Sequence, residues 1–284
     1  MYKQKLGMSV GYNYPIPTVD VVKMLKNIGF DAISPEWRDG AELAEVIEIA
    51  RECGMIVESL HAPFWNAAAM WSFDENISNP AKTELLKTLE DCKKWNVPIM
   101  VVHPWIGFDY EFDASRLNFQ NFDELIARAE EYGITVAFEN VEGEEYLYAL
   151  MEHYKEMDTV GFCWDSGHEM CFNRSLDMLA KYGNRLVMTH LNDNLGISNF
   201  EGKLIWTDDL HLLPYDGISD WDENIKRLKK SRRLESLNLE LTISSKPNRH
   251  ENDMYGQMGL ELYFTEAYKR ACKIAYRYIK EMVE

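Results

Sequence analysis

Eight short apolar runs, each followed by a segment of helical spacing, constrain this chain more than any other feature. The runs are residues 6–11, 30–34, 55–60, 99–102, 135–138, 160–164, 186–189 and 236–241. They are apolar throughout rather than alternating, the pattern of strands buried on both faces. Between them, Val19, Val22, Leu25 and Ile28 recur at helical intervals, as do Leu43, Val46, Ile47 and Ala50. Leu85, Leu86, Leu89 and Cys92 follow the same rule, and so do Leu125, Ile126, Ala129 and Tyr132. Residues 145–154, 176–181 and 220–230 supply three more helices. A last one spaces Leu260, Phe264, Ala267, Ala271, Ile274, Tyr278 and Met282. Strand then helix, eight times over, predicts an α/β fold: a parallel sheet closed into a (β/α)8 barrel, one domain over residues 1–284. The competing open, doubly wound sheet needs about six strands and no closure.

Composition narrows the function. A formal net charge of −17 repels phosphate backbones at long range, so nucleic acid is not an expected partner. Five cysteines, with no C-x-x-C pair, point to a reduced, cytoplasmic setting. The N-terminal residues lack the apolar stretch of a signal peptide, and no apolar run is long enough to span a membrane. The two longest irregular stretches, 193–219 and 242–255, follow the seventh and eighth runs. That is the face where barrel enzymes build their sites.

What ends each run carries the chemistry. The third run ends at His61, the fourth at His103, the fifth at Glu139. The sixth ends at Asp165 with His168 just beyond, the seventh at His190, and the eighth contains Glu240. Asp209 and His211 lie between the last two runs. Five of the seven histidines occupy these positions; only His153 and His250 fall outside. Taken singly, a His before Pro or a Glu at a strand end is an ordinary packed or ion-paired residue. Nine together at one barrel mouth would repel and desolvate one another unless a cation sat among them. Oxygen and imidazole donors without thiolate suit Zn²⁺ or Mn²⁺, with Co²⁺ and Mg²⁺ as further candidates.

The motifs Leu60-His61-Ala62-Pro63-Phe64, Val102-His103-Pro104, Phe138-Glu139-Asn140, Trp164-Asp165-Ser166-Gly167-His168, His190-Leu191-Asn192-Asp193, Asp209-Leu210-His211 and Glu240 resemble those of the xylose isomerase-like barrel superfamily. That superfamily holds sugar isomerases, sugar epimerases and endonuclease IV. In its isomerase and epimerase branch, the resemblance implies one metal held by Glu139, Asp165, His190 and Glu240, with the two glutamates shuttling protons. In the endonuclease branch it implies three zinc ions held by all nine residues. The chain departs from xylose isomerase proper: Val141, not Lys, stands two residues past Glu139. That favours proton transfer through an enediolate over a hydride shift.

The expected function is therefore a metal-dependent sugar or sugar-phosphate isomerase or epimerase acting on a small carbohydrate. Glu139, Glu240 and His168 would be catalytic. His61, His103, His168, Asp209 and His211 would hold further metal or substrate. Phe64 and Trp65 are placed to stack on a sugar, and Lys246, Arg249 and His250 to meet a phosphate. A zinc-dependent phosphodiesterase acting on abasic DNA is the alternative, and a non-catalytic metabolite-binding barrel is a third reading. The densest basic run, residues 226–233, closes the helix entering the last strand, on the opposite face, and reads as a solvated helix end complementing the macrodipole. Trp37, Trp105 and Trp164 read as packing residues, and Met55, Met100 and Met188 as core. A homo-oligomer is compatible with all of this.

Overall fold

Every one of the eight runs contributes to a parallel sheet in the computed structural model, which describes residues 3–11, 14–199 and 201–280. The strands are β1 (Lys5–Val10), β2 (Ala32–Pro35), β3 (Ile56–Val57), β4 (Ser59–His61), β5 (Ile99–Val102), β6 (Thr135–Glu139), β7 (Val160–Asp165), β8 (Leu186–His190) and β9 (Ser236–Leu239). They form two arcs, β3-β2-β1-β9 and β4-β5-β6-β7-β8. The third run is divided because it changes partner. Ile56 and Val57 pair with Ala32 and Ile33, whereas Ser59 pairs with Ile99. Such a stagger is what closing a tilted sheet requires. Single parallel bridges join the arcs at both seams, Glu36 to His61 and Leu191 to Leu239. The Trp37 N–H donates to the His61 carbonyl at 2.8 Å, and the Leu191 N–H to the Asn238 carbonyl at 2.9 Å. The sheet is thus the expected (β/α)8 barrel and not an open doubly wound one.

The helices are α1 (Thr18–Ile28), α2 (Ala41–Glu52), α3 (Glu75–Trp95), α4 (Gln120–Tyr132), α5 (Glu144–His153), α6 (Ser166–Cys171), α7 (Met178–Tyr182), α8 (Trp221–Lys230), α9 (Asp253–Met258) and α10 (Leu260–Lys280). Their apolar stripes fall where the spacing predicts. On α10, Phe264, Ala267, Ala271, Ile274 and Tyr278 are buried against the barrel; Met282 lies outside the described residues. Two short helices, α6 and α9, are absent from the sequence reading, because six residues are too few for a periodic signal. Among the described residues, no helix is long and apolar enough to cross a membrane.

The barrel interior is lopsided. Val101, Ala137, Cys163 and Met188, from β5 to β8, form a small apolar cluster apart from the main core under the helices. On the other side the facing positions are Ser9, Ser34, Ser59 and Asn238, small or polar, with the Asn238 amide donating to Ser9 Oγ at 2.8 Å. Met55, Met100 and Met188 are buried as expected. Trp164 and Trp37 are packing residues whose indoles donate to Glu169 at 3.0 Å and Asp91 at 2.7 Å, and Trp105 stacks on Tyr146.

One reading of the basic run needs correction. Arg227 is not part of a solvated helix end. It turns inward from α8, pairs with Glu169 at 2.7 Å and Asp177 at 3.0 Å, and lies over the Trp164 ring. Burial raises the Glu169 carboxyl, and the guanidinium offsets that in part. The pair thereby ties α8 to the helix that follows the sixth run. A buried ion pair of this kind is weak as a source of stability, but removing one partner typically costs about 3–5 kcal/mol.

Candidate metal centre

All nine residues singled out in the sequence converge on the C-terminal mouth of the barrel. His61, Glu139, Asp165 and His190 are the last residues of β4, β6, β7 and β8, and His103 and Glu240 follow β5 and β9 directly. His168 stands on α6, and Asp209 and His211 on the loop between β8 and α8. Glu139 is the hub. Its Oε1 lies 3.0 Å from His190 Nδ1 and 3.3 Å from His168 Nδ1, while its Oε2 lies 3.3 Å from His61 Nε2 and 3.4 Å from His103 Nε2. His190 Nδ1 also lies 3.2 Å from Glu240 Oε2, so the ring sits between two glutamates. Ligand atoms of Glu139, Asp165, His190 and Glu240 all fall within 4.8 Å of one another. So do those of His168, Asp209 and His211, and those of His61, His103 and Glu139.

Local folding aims these groups. Asp165 ends β7 and caps α6, accepting the His168 N–H at 2.6 Å. Its other oxygen accepts from the Asn192 amide at 2.8 Å, and its backbone is clamped by Asn140, which accepts its N–H and donates to its carbonyl. Asn192 reaches that position because residue 167 is glycine: a Cβ there would collide with the Asn192 side chain. His168 Nδ1 is held at 3.0 Å from the Asn140 carbonyl. The long loop is organised by Asp193, which accepts from the backbone of Asn194, Tyr215 and Ser219 and from the Trp221 indole. On that loop His211 has a left-handed backbone (φ 46°), a strained conformation for a non-glycine residue, with its Nε2 2.8 Å from Asp209.

The electrostatics follow from burial opposed by contact. Burial pushes Glu139 up, but the charge of His190 and hydrogen bonds from His103, His168 and His190 outweigh it and hold the carboxyl well below its usual range. Burial likewise opposes ionisation of Glu240, yet His190 brings it down to about 2. Asp165 goes the other way: burial dominates and lifts it to about 6. Desolvation disfavours charge on the histidines, but neighbouring carboxylates raise His168 and His190 well above the usual imidazole value and His211 to about 9. His103 is lowered, because burial exceeds what Glu139 restores. Without an ion, carboxylates thus face the protonated rings of His168, His190 and His211.

That donor set fits a divalent cation. Carboxylates and imidazoles face one another across a few ångströms, and the buried Nε2 of His190 has no hydrogen-bond partner among the described residues. The expectation of a thiol-free site needs one amendment. Cys163, two residues before Asp165 on the inner face of β7, comes within the same reach of Glu139 and His190. Burial lifts its thiol to about 12, so it stays protonated.

The remaining expected residues divide. Phe64 stacks on His103 with 4.7 Å between ring centroids and Trp65 lies exposed against Phe64, so both stand at the mouth. Lys246 reaches Asp209 at 3.4 Å. Arg249, assigned to substrate, instead pairs with the buried Asp208 at 2.8 Å and with Glu251 at 2.8 Å. His250 is exposed beside Asp253, and His153 pairs with Asp123 on the outer surface. Three participants escape the sequence reading. Asn140 and Asn192 adjoin ligand-type residues at strand ends, a position that itself marks them. Glu36 follows β2 as Glu139 closes β6, and the same signal, an acid where an apolar run stops, would have found it.

Comparison with known proteins agrees with this geometry. A family model described as xylose isomerase-like TIM barrel matches residues 22–257. The uncharacterized protein y4fM of Sinorhizobium fredii is 35% identical over 128 residues, 43% of this chain; the match spans only 38% of that relative's length. The crystal structure of the IOLI protein with a binding zinc atom superposes with a TM-score of 0.73 at 20% identity, covering 95% of this chain and 98% of that one. An L-ribulose 3-epimerase structure superposes with a TM-score of 0.72 at 10% identity, covering 98% of this chain and 97% of its own. At these identities the two structures establish the fold.

Proposed function

Because the chain belongs to the xylose isomerase-like TIM barrel family, we propose that it is a divalent-metal-dependent isomerase or epimerase of a small sugar. The observation that carries this reading is the placing of two glutamates, the buried Glu139 and the half-buried Glu240, on one imidazole, with Asp165 beside them. Glu139, Asp165, His190 and Glu240 would hold the ion, Zn²⁺ or Mn²⁺ by their oxygen and nitrogen donors. Bound there, the ion supplies Lewis acidity to the substrate carbonyl. The protein does the proton work. One of the two glutamates takes the proton from the carbon next to the carbonyl, and the electron pair of that bond becomes the double bond of an enediolate. The other glutamate returns a proton, to the opposite face for an epimerase or to the neighbouring carbon for an isomerase. His168, fixed by Asn140 and Asp209, orients a substrate hydroxyl. Phe64 and Trp65 wall the entrance. The zinc-bearing and epimerase structures of the same fold support the reading by analogy.

Turnover in D₂O tests it. With a panel of ketoses and the Mn²⁺-loaded protein, deuterium is expected at the carbon next to the carbonyl. Product formed slowly yet free of label would point to hydride transfer instead.

A second reading is favoured by one observation: His168, Asp209 and His211 form a further cluster beside the first. A multi-zinc phosphodiesterase acting on abasic DNA would use it. The formal charge of −17 opposes duplex binding, whose affinity rests on phosphate contacts and falls steeply with salt. The expected outcome is that the zinc-loaded protein leaves an abasic duplex uncut at physiological salt. Efficient incision, lost in His211→Ala, would replace the isomerase reading.

A further inference from the structure

Beside Glu240 lies a cavity of about 50 Å³ lined by Ser9, Gly11, Tyr14, Glu36, Glu240 and Thr242, among others. Its backbone is fixed at the seam between the arcs, where Glu36 donates to the Val10 carbonyl and bridges to His61. The Glu36 carboxylate packs directly on Gly11, where a Cβ would collide with it. The residue is half-buried, and no hydrogen bond to that carboxylate occurs among the described residues; the charges that act on it are those of His61, Glu240 and Arg38. The opposite wall is a phenol kept neutral by burial, Tyr14, whose hydroxyl donates to the Leu241 carbonyl at 3.4 Å. A half-buried carboxylate facing a cavity is an acceptor that a ligand hydroxyl can satisfy.

We infer that Glu36 is a specificity-determining residue that accepts a hydrogen bond from a hydroxyl of an unphosphorylated sugar, in a subsite next to the reacting carbons. Two further observations set the ligand class. The cavity holds about one to two water volumes. That admits a hydroxymethyl group. A phosphoryl group would bring nearly two negative charges beside Glu36 and Glu240. The basic residues expected to meet a phosphate are already engaged, Lys246 with Asp209, Arg249 with Asp208 and Glu251, and His250 with Asp253. The inference rests on the proposed sugar chemistry for the identity of the ligand, and on Glu36 and its cavity for the selectivity.

Calorimetric titration of the Mn²⁺-loaded full chain with D-fructose and with D-fructose 6-phosphate tests it. The free sugar is expected to bind at least ~10-fold more tightly, as a charge-assisted hydrogen bond would confer. Glu36→Gln, of the same size but neutral, is expected to lose about that factor, and Glu36→Asp, which keeps the charge, to retain most of the preference. Metal content equal to the unsubstituted protein confirms that both variants are intact. Equal or tighter binding of the phosphate, an unchanged ratio in Glu36→Gln, or no binding of either probe would overturn the subsite. Deuterium exchange separates this from the reaction itself. Exchange indifferent to Glu36 keeps the isomerase reading and removes this one, and Glu36-dependent binding without exchange of any ketose does the reverse.

Discussion

Glu139→Gln is expected to lower turnover by about 10³-fold or more, with the barrel still folded. Proton transfer by a positioned side chain is typically worth 10²–10⁴-fold. Here the same carboxylate is also the anion shared by His61, His103, His168 and His190. Glutamine keeps the size and one acceptor oxygen but neither the charge nor the ability to carry a proton. The loss should fall on kcat and on deuterium incorporation together. Activity within ~10-fold of the unsubstituted protein would remove Glu139 from the chemistry and leave it a mere organiser of the rings. Circular dichroism distinguishes this from unfolding, since Glu139 lies at a strand tip beyond the apolar layers of the interior.

His190→Ala is expected to weaken metal binding by more than ~100-fold, beyond the 10–100-fold typical of residues that only orient a ligand. The imidazole stands between Glu139 and Glu240, so alanine removes a donor and the positive charge that keeps both acids ionised. The unsubstituted protein has a matching pH signature. His168 and His190 are raised well above the ordinary imidazole range and His211 to about 9. Metal-binding imidazoles must be neutral, so below those values a proton competes with the ion and binding releases it. Affinity should therefore rise with pH from 6 into the alkaline range, as His190 gives up its proton. Chelator competition at several pH values reads both effects. Full metal content in His190→Ala, or affinity flat across that range, would remove His190 from the centre.

The barrel and its centre were legible in the chain for different reasons. Strands buried on both faces leave unbroken apolar runs, and the first hydrophilic residue after each run is necessarily at a strand tip. His61, Glu139, Asp165 and His190 were found by that rule alone. Cys163 was not, because inside a run an inward thiol and an outward one look alike; only the pleat, seen through its pairing with Met188, decides which way it points. Glu36 was not found either: the second run stops at Ser34 in the sequence, one residue short of the strand end, so Pro35 separates it from the acid. Arg227 belonged to a charge cluster whose average is solvated, while one member turned inward to meet a carboxylate more than fifty residues earlier in the chain. Arg249 shows the same limit: a basic residue in a mobile-looking loop carries no mark of the buried Asp208 that claims it.

The division of the sheet into two arcs separates two kinds of heritable change. The arc from β4 to β8 carries His61, Glu139, Asp165 and His190 above its own apolar floor. The arc from β9 through β1 to β2 carries Ser9, Glu36 and the small residues beneath them, and only Glu240 adds to the centre from that side. Substitutions in the second arc can reshape what is admitted while the first keeps its geometry, because the seams between them are single bridges and not full ladders. On the proposed function, what the site admits can thus change by substitution of a few small side chains without loss of the metal-binding residues.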